Sequence, residues 1–447
     1  MRHSHGRHGW HAFIVLAVAL AASAACESPA ADRPVAHVAD WSLTRERLAD
    51  LLVLAQPLPL DSTTATAIVE HWIGMAAVAM RAGAGTDLAG EAALDASVWL
   101  ERREALLDAH RRAIYAADAE VTADRARREF EADTLRLLAH TLRRTTAATS
   151  GAERELQRRT ARSILDDLIE GGSWPDAAAR SEDDETRDAS GLLGLLGLEE
   201  LPPELRDPAA ALQPGQVSDV VESPLGFHIL YRPRFDDVPD LYARLLSERL
   251  LGQADARATE RLRDSLDVRI DTAWLGMVRA MASGTAPPDP AARIATWEAG
   301  ALPADVALKY VSALPSDDRT RMAAAADQAL VDFIERLAVR QARFERARAS
   351  GIEPDTGTLA NLEAMHRADV DAWLASLSDA TEPFGRAALA RYMERLVARQ
   401  VPLRPIPPLF RQWLLEPLDW SHDRLVQAHA VARARHLVQA ASPASGS

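Results

Sequence analysis

Two histidines and one aspartate in the middle of the chain are the first candidates for chemistry. His140 lies in the apolar run Leu-Ala-His-Thr-Leu (residues 138–142), and His228 lies in Gly-Phe-His-Ile-Leu (residues 226–230). Asp183 lies between them along the chain, in the polar run Ser-Glu-Asp. A lone histidine on a strand is usually a structural residue. The three residues are therefore candidates for a polar site only as a set.

Other kinds of catalytic site find no support in the sequence. It contains no His-Glu-x-x-His, Gly-x-Ser-x-Gly or P-loop motif, which disfavours metalloprotease, serine hydrolase and nucleotide-hydrolysing mechanisms. Cys26 is the only cysteine, and this excludes disulfide frameworks, CxxC redox pairs and cysteine zinc sites. We therefore expect neither a metal nor a cofactor.

Composition narrows the class of protein further. The 447 residues carry 51 Lys+Arg and 65 Asp+Glu, a net charge of −14. Without clustered cations, the chain is not expected to bind nucleic acid. Hydrophobic residues make up 48% and aromatic residues only 5%. The apolar content is thus mostly alanine and leucine, which favours closely packed helices.

The elements that must position the candidate residues have an α+β pattern. Short apolar runs at 137–142, 191–197 and 226–231 predict strands. Helical periodicity at 152–170 lies between the first two runs and ends at a Gly-Gly pair.

The flanks of this segment are mainly helical. Periodicity predicts helices at 63–82, 92–117, 122–138 and 240–266 and through most of 291–447. Alternation over Val35–Trp41 predicts one short strand, and Asp267–Asp271 predicts another. Val38–Thr44 and Ile294–Pro303 share a weak echo, in which an apolar run with a tryptophan precedes a helix. The echo is either coincidence or the trace of a second chaperone-like copy.

A series of motifs across residues 134–233 occurs in the order of a known family. They are the first strand at 138–142, a Gly-Gly-Ser-Trp turn at 171–178, a Ser-x-Asp loop at 181–183, a glycine turn at 190–196, a Leu-x-x-Gly-x-x-Ser element at 212–221 and the closing strand at 226–230. The last two are the most specific. In this order the segment resembles the parvulin family of peptidyl-prolyl cis–trans isomerases.

The resemblance implies roles for individual residues. His140 and His228 would form paired imidazoles on adjacent strands, and Asp183 would lie beside the substrate carbonyl. Leu193, Leu201, Leu205 and Phe227 would line the proline pocket. Leu201 and Leu205 stand where the family usually has methionine and phenylalanine, and Leu192 replaces an acidic residue. The loss of an aromatic wall should weaken stacking on the proline ring.

The flanks resemble the chaperone module of the periplasmic survival-factor and foldase lipoprotein isomerases. There, helices before and after the isomerase pack together, so the resemblance implies a multidomain protein with an α+β parvulin domain inserted between mainly α-helical chaperone-like regions. The expected parts are a signal peptide at 1–25, a lipid-anchored tether at 26–35, an N-terminal helical region at 36–133, the parvulin-like domain at 134–233, a helical return segment at 235–283 and a C-terminal helical region at 284–447.

The N-terminus has the pattern of an export signal. Arg2 and Arg7 precede the uncharged run Phe13–Ala22, which is too short to span a bilayer. The Ser-Ala-Ala-Cys sequence ending at Cys26 resembles a bacterial lipobox, although simple cleavage after the alanines is the alternative. A lipidated Cys26 predicts a periplasm-facing protein of the bacterial envelope, and Glu27 after it is compatible with the outer membrane.

Two functions remain open on this evidence. One is an isomerase and folding factor acting on X–Pro bonds of unfolded exported proteins. The other is a non-catalytic holdase with a degenerate parvulin domain. The retained His140, Asp183 and His228 favour the first, and the aliphatic pocket favours the second.

Overall fold

The computed structural model describes residues 33–285, 287–378 and 383–441. Cys26, the expected signal peptide and most of the expected tether lie outside the described residues. None of the helices within those ranges is long and apolar enough to cross a bilayer.

The N-terminal part begins with a hairpin where one strand was predicted. Strand β1 (Ala36–Val38) pairs antiparallel with β2 (Trp41–Leu43), because the chain reverses at Ala39, whose φ is +49°. Hydroxyl or carboxylate N-caps at Thr44, Asp61 and Thr122 then start three of the helices. The helices here are α1 (Arg45–Leu54), α2 (Ser62–Gly83), α3 (Glu91–Ser97), α4 (Trp99–Ile114) and α5 (Ala123–Ala132).

The central part is an antiparallel sheet covered by helices. Helix α5 ends at Asp133, whose φ is +56°, and the chain enters the first strand three residues later. The strands are β3 (Arg136–Arg144), β4 (Leu192–Leu196), β5 (Val221–Ser223) and β6 (Gly226–Tyr231), in the order β4-β3-β6-β5. The helices are α6 (Gly151–Ile169), α7 (Trp174–Ala179), α8 (Asp184–Arg187) and α9 (Pro203–Ala211). The predicted strands and the helix between them are confirmed.

The remainder of the chain is mostly helical, as predicted. Its elements are α10 (Pro239–Ser265), β7 (Arg269–Ile270), α11 (Leu275–Ala282), β8 (Arg293–Trp297), β9 (Gly300–Pro303), α12 (Ala304–Ala313), α13 (Ser316–Ala323), α14 (Asp327–Ala349), α15 (Thr356–Ser376), α16 (Arg386–Val397), α17 (Pro408–Leu415), β10 (Trp420–His422) and α18 (Arg424–Ala441).

Two large helical cores form in the described residues outside the central sheet. The first, which we call core A, joins α1 and α2 to residues of α15–α18 near the end of the chain. The second, core B, joins the end of α10 to α11, α12, α14 and the hairpin β8–β9. The large helical share and the α+β domain agree with the expected multidomain class.

The packing of the flanks differs from the expectation that 36–133 and 235–283 form one module. Helices α4 and α5 do contact α10, but α1 and α2 lie in core A with residues 370–434. Helix α2 explains the difference, because every residue from Trp72 to Ala79 is buried. A helix that is apolar all round needs partners on every side.

The weak sequence echo corresponds to two similar substructures. Hairpin β1–β2 leads into α1, and hairpin β8–β9 leads into α12. Each hairpin also takes a third strand on its first strand, β10 on β1 and β7 on β8. The two short sheets therefore have the same order of strands, although β10 comes from near the end of the chain and β7 comes shortly before its hairpin.

Candidate functional site

The imidazoles of His140 and His228 lie in contact on one face of the central sheet. Strands β3 and β6 are paired so that His140 is opposite Leu230 and His228 is opposite Leu142. Because side chains alternate between the two faces of a strand, this register places both histidines on the same face. Their Nδ1 atoms are 3.2 Å apart, and both side chains are buried.

Asp183 completes the set from the loop between α7 and α8. Its Oδ2 atom lies 2.9 Å from His140 Nε2 and accepts a hydrogen bond of 2.8 Å from the hydroxyl of Thr186. Its Oδ1 atom lies 3.3 Å from the guanidinium of Arg144. The carboxylate is therefore shared between an imidazole, a hydroxyl and a cation.

The loop that carries Asp183 is fixed directly to β3. The Ser181 hydroxyl accepts a hydrogen bond of 3.0 Å from the backbone N–H of Leu142, and the N–H of Glu182 donates to the Leu142 carbonyl at 2.8 Å. The same Ser181 oxygen accepts from the N–H of Asp183 at 3.2 Å. These contacts fix the backbone of the loop beside β3, so that the Asp183 side chain can reach His140.

On the other side of the histidine pair, Ser223 is the terminal partner. Its Oγ lies 2.7 Å from His228 Nε2 and accepts a hydrogen bond of 3.0 Å from the N–H of Leu225. A serine oxygen has two lone pairs and one hydrogen, so this contact leaves its hydroxyl free to donate to His228.

These contacts fix the direction of the hydrogen bonds between the side chains. A carboxylate accepts only, so His140 donates from Nε2 to Asp183 and accepts at Nδ1. His228 must then donate from its Nδ1 and accept from Ser223 at Nε2. All donors point from the β5–β6 turn towards Asp183, with both imidazoles neutral.

The electrostatics agree with neutral histidines and an ionised aspartate. Burial lowers the pKa of His228 to about 4, and the neighbouring His140 adds to the shift. Burial also lowers the pKa of His140, against the opposing effect of Asp183. For Asp183 burial acts to raise the pKa, but the hydrogen bonds from His140 and Thr186 outweigh it and hold the pKa below its ordinary value.

Comparison with known proteins identifies the segment that carries this site. The family described as "Rotamase: PPIC-type PPIASE domain" matches residues 140–233. This segment is a parvulin-type domain. The curated relative Chaperone SurA of Hydrogenovibrio crunogenus is 33% identical over 78 residues, which are 17% of this chain and 17% of that protein. The chain thus matches this relative over less than a fifth of its length.

Solved structures with similar segments include an isolated isomerase domain and PrsA. A PpiC-type peptidyl-prolyl cis-trans isomerase domain is 28% identical, with 22% of this chain and 89% of that chain covered and a TM-score of 0.21. PrsA from Bacillus subtilis is 20% identical, with 36% of this chain and 60% of that chain covered and a TM-score of 0.24. The expected resemblance to the parvulin family is confirmed by the family match.

The predicted pocket residues of the parvulin domain fall in two places. Leu201 and Leu205 are buried in one aliphatic cluster with Leu138 and Leu230, and Leu193 packs against its edge. Because Leu138 and Leu230 alternate in phase with the two histidines, this cluster lies on the histidine face of the sheet.

Phe227 is not brought together with the other predicted pocket residues. It alternates out of phase with His228, so its ring lies on the opposite face, where the guanidinium of Arg154 from α6 is 5.5 Å from the ring centroid. The strand period of two already implies this placement.

Sequence reasoning missed three residues that the structure places at the site. Thr186 is one turn after Asp183 on α8, Ser223 ends β5, and Arg144 ends β3. Only the spacing of Thr186 could have been read from the sequence, because residues three apart share a helix face. Ser223 and Arg144 come together with their partners through the sheet register.

The parvulin domain is expected to lose stability in mild acid. His228 has a folded pKa of about 4, below its usual 6.5, so the unfolded chain takes up a proton first as the pH falls. The free energy of unfolding should therefore decline by about 3 kcal/mol from pH 6.5 to pH 4 and level off below. Hydrogen exchange in Gly226–Tyr231, corrected for intrinsic rates, measures this decline.

The matched variant for this measurement is His228→Gln. This variant should be less stable than the wild type at neutral pH. Because it lacks the titrating imidazole, most of the decline in the free energy of unfolding between pH 6.5 and pH 4 should disappear. An equal decline in both proteins would contradict the assignment to His228.

Proposed function

We propose that this protein is a peptidyl-prolyl cis–trans isomerase and folding factor for exported proteins. The observation that supports this most is the hydrogen-bonded set of Asp183, His140 and His228 beside the aliphatic cluster of a parvulin-type domain. Its substrates are X–Pro bonds in unfolded or partly folded chains, and the reaction needs no cofactor.

The chemistry requires no nucleophile. Rotation about an X–Pro bond is slow because amide resonance gives the C–N bond partial double-bond character, with a barrier of about 18–20 kcal/mol. The planar amide carries partial negative charge on its oxygen, and this charge is smaller when the amide is twisted. An enzyme accelerates rotation when it stabilises the twisted amide more than the planar one.

Each part of this site has a separate role in the proposed catalysis. The cluster around Leu201 and Leu205 holds the proline ring. The carboxylate of Asp183 disfavours negative charge on the nearby carbonyl oxygen and so disfavours the planar amide. The neutral His140 and His228 keep this carboxylate in position through one continuous line of hydrogen bonds.

The alternative, a non-catalytic holdase, is favoured by the composition of the pocket. Its buried members are aliphatic, so no aromatic ring among them stacks on a bound proline. In that case the helical cores would hold clients and the parvulin domain would only dock them.

A protease-coupled assay on a short X–Pro peptide tests between these functions. We expect the full chain to accelerate the cis-to-trans step in proportion to its concentration. The holdase would be established instead by two results together. The peptide would isomerise no faster than without the protein, and the protein would still suppress the light scattering of an aggregating client.

We propose that lipidated Cys26 anchors the protein to the envelope membrane with its folded part in the periplasm. The support is the position of the sole cysteine, which follows the apolar run and three small residues. Cys26→Ser should shift the protein from the membrane fraction to the soluble envelope fraction and abolish labelling with a fatty acid. A wild-type protein that is itself soluble and unlabelled would contradict this proposal.

A further inference from the structure

A large cleft lies away from the parvulin domain, between elements of core A and core B. Its volume is about 1140 Å³, and its walls come from α3, α4, α12, α14 and α17. Small-molecule sites are usually about 300–1,000 Å³. The cleft therefore has room for a segment of polypeptide.

Aromatic side chains line this cleft from both sides. Trp99 comes from α4 and Phe344 from α14, while Trp413 comes from α17 and Trp420 from β10. Apolar rings on opposite walls can contact the side chains of an extended segment on both of its faces.

One wall also contains a buried guanidinium, that of Arg103, whose hydrogen-bond partners are neutral. The residue is 7% exposed. It donates to the Tyr310 hydroxyl at 3.1 Å and to the Gln341 side-chain oxygen at 2.6 Å. Its guanidinium lies 3.4 Å from the ring centroid of Phe344 and 4.8 Å from that of Trp99. Among the described residues, no carboxylate is within ion-pair distance of it.

A buried cation in this setting is normally paired with an anion. Charged groups are costly to bury unless they are compensated, and aromatic rings compensate a guanidinium only in part. Burial lowers the pKa of Arg103, against the opposing effect of Tyr310. A carboxylate entering the cleft would supply the missing charge.

Other charged residues of the cleft also favour a ligand that carries a carboxylate. Two further cations line the cleft. Lys309 lies 3.9 Å from the carboxylate of Asp305, whereas Arg348 has no carboxylate within ion-pair distance among the described residues. The other lining cations are already engaged, Arg102 with Asp95 and both Arg319 and Arg411 with Glu70. The remaining lining carboxylates are Glu353 and Glu416.

We propose that this cleft binds an extended segment of a client protein that carries apolar side chains and an acidic side chain, whose carboxylate pairs with Arg103. Several cations along the lining favour acidic side chains within a segment over the single carboxylate of a chain end. This inference rests on the proposed role as a folding factor and adds the class of segment that is recognised.

Fluorescence anisotropy with three matched peptides tests the chemistry. The probe is a short fluorescein-labelled peptide with leucine and glutamate side chains and an amidated C-terminus. The second peptide has glutamine for glutamate, and the third is the glutamine peptide with a free C-terminal carboxylate. We expect the glutamate peptide to bind at least about tenfold more tightly than the other two.

Charge reversal at Arg348 identifies the site of binding. Arg348→Glu should weaken the glutamate peptide about tenfold and leave the glutamine peptide almost unaffected. Arg346→Glu is the control, because it makes the same change in net charge two residues away on α14, and successive helical residues are rotated by about 100°. It should bind the glutamate peptide like the wild type. Arg103→Gln should also weaken binding, provided that circular dichroism shows it folded.

Three results would overturn the inference. The first is equal affinity for the glutamate and glutamine peptides. The second is equal loss of binding in the Arg348 and Arg346 variants. The third is self-association of the protein that Arg348→Glu abolishes, because a second copy of the chain would then fill the cleft. A protein that isomerises X–Pro peptides but fails these tests loses only the cleft assignment. A protein that passes them but isomerises nothing loses only the isomerase proposal.

Discussion

Asp183→Ala, His140→Ala and His228→Ala are each expected to slow isomerisation of a short X–Pro peptide about ten- to a hundredfold, or about 1.4–2.7 kcal/mol of barrier. Asp183 should have the clearest effect, because its carboxylate is the member of the set that we propose to lie next to the substrate amide. The histidines act through its position and orientation. The measurement is kcat/KM in the protease-coupled assay at neutral pH, where both imidazoles are neutral.

The structure provides a matched control for this comparison. Asp184 is the next residue, also an aspartate, but its exposed side chain pairs with Arg187. Asp184→Ala should retain the wild-type kcat/KM. When residues act as one unit, removing a second member costs little further activity. The kcat/KM of the double variant His140→Ala with Asp183→Ala should therefore be little lower than that of the slower single variant.

Stability must be separated from catalysis in these variants. Loss of a buried histidine leaves the hydrogen bonds of its neighbours unmade, so each variant is first checked by hydrogen exchange in β6. A folded Asp183→Ala protein with wild-type activity would contradict the proposed mechanism.

Phe410→Ala is expected to destabilise core A by about 3–5 kcal/mol. The ring of Phe410 is fully buried in α17. It stacks on Trp373 and Trp413 with ring centroids 5.6 Å apart in each case, and it meets His366 edge-on at 5.2 Å. Removing it leaves a cavity at the centre of an aromatic stack, which neighbouring helices cannot fill without moving.

The effect should be confined to core A. Hydrogen exchange in α2 should become faster in Phe410→Ala, while exchange in β6 of the parvulin domain stays unchanged, because these segments belong to separate hydrophobic clusters. Leu403→Ala is the control, since that side chain is 60% exposed and its removal should leave both segments unchanged. Equal acceleration in α2 and β6 would show that the chain opens as one cooperative unit.

Local patterns in the sequence were sufficient for three strands and the longest helix of the parvulin domain, although the helix predicted at 122–138 ends at Ala132 and β3 begins at Arg136. The apolar runs that became β3, β4 and β6 and the helical period that became α6 depend on residues close together in the chain. The order of motifs then identified His140, His228 and Asp183 as a set. The same strand period also implies that Phe227 and His228 face opposite sides of the sheet. Phe227 therefore does not belong with the pocket residues on the histidine face.

The hydrogen bonds within that set depended on contacts that no local pattern contains. Ser223 and Arg144 meet their partners only because β5, β6 and β3 pair in one particular register. The direction of the hydrogen bonds follows from Asp183, whose carboxylate only accepts and meets His140 through the fold.

The sequence by itself determined that most of the chain outside this domain is helical and which residues of each helix are apolar. Only the tertiary structure decided which helices meet. The apolar face of an amphipathic helix specifies that it will be buried but not against which partner, so α2 could not be assigned to α15–α18 in advance. For the same reason Arg103, one arginine among many in the sequence, is recognisable as a buried and uncompensated cation only after α4 and α14 have packed around it.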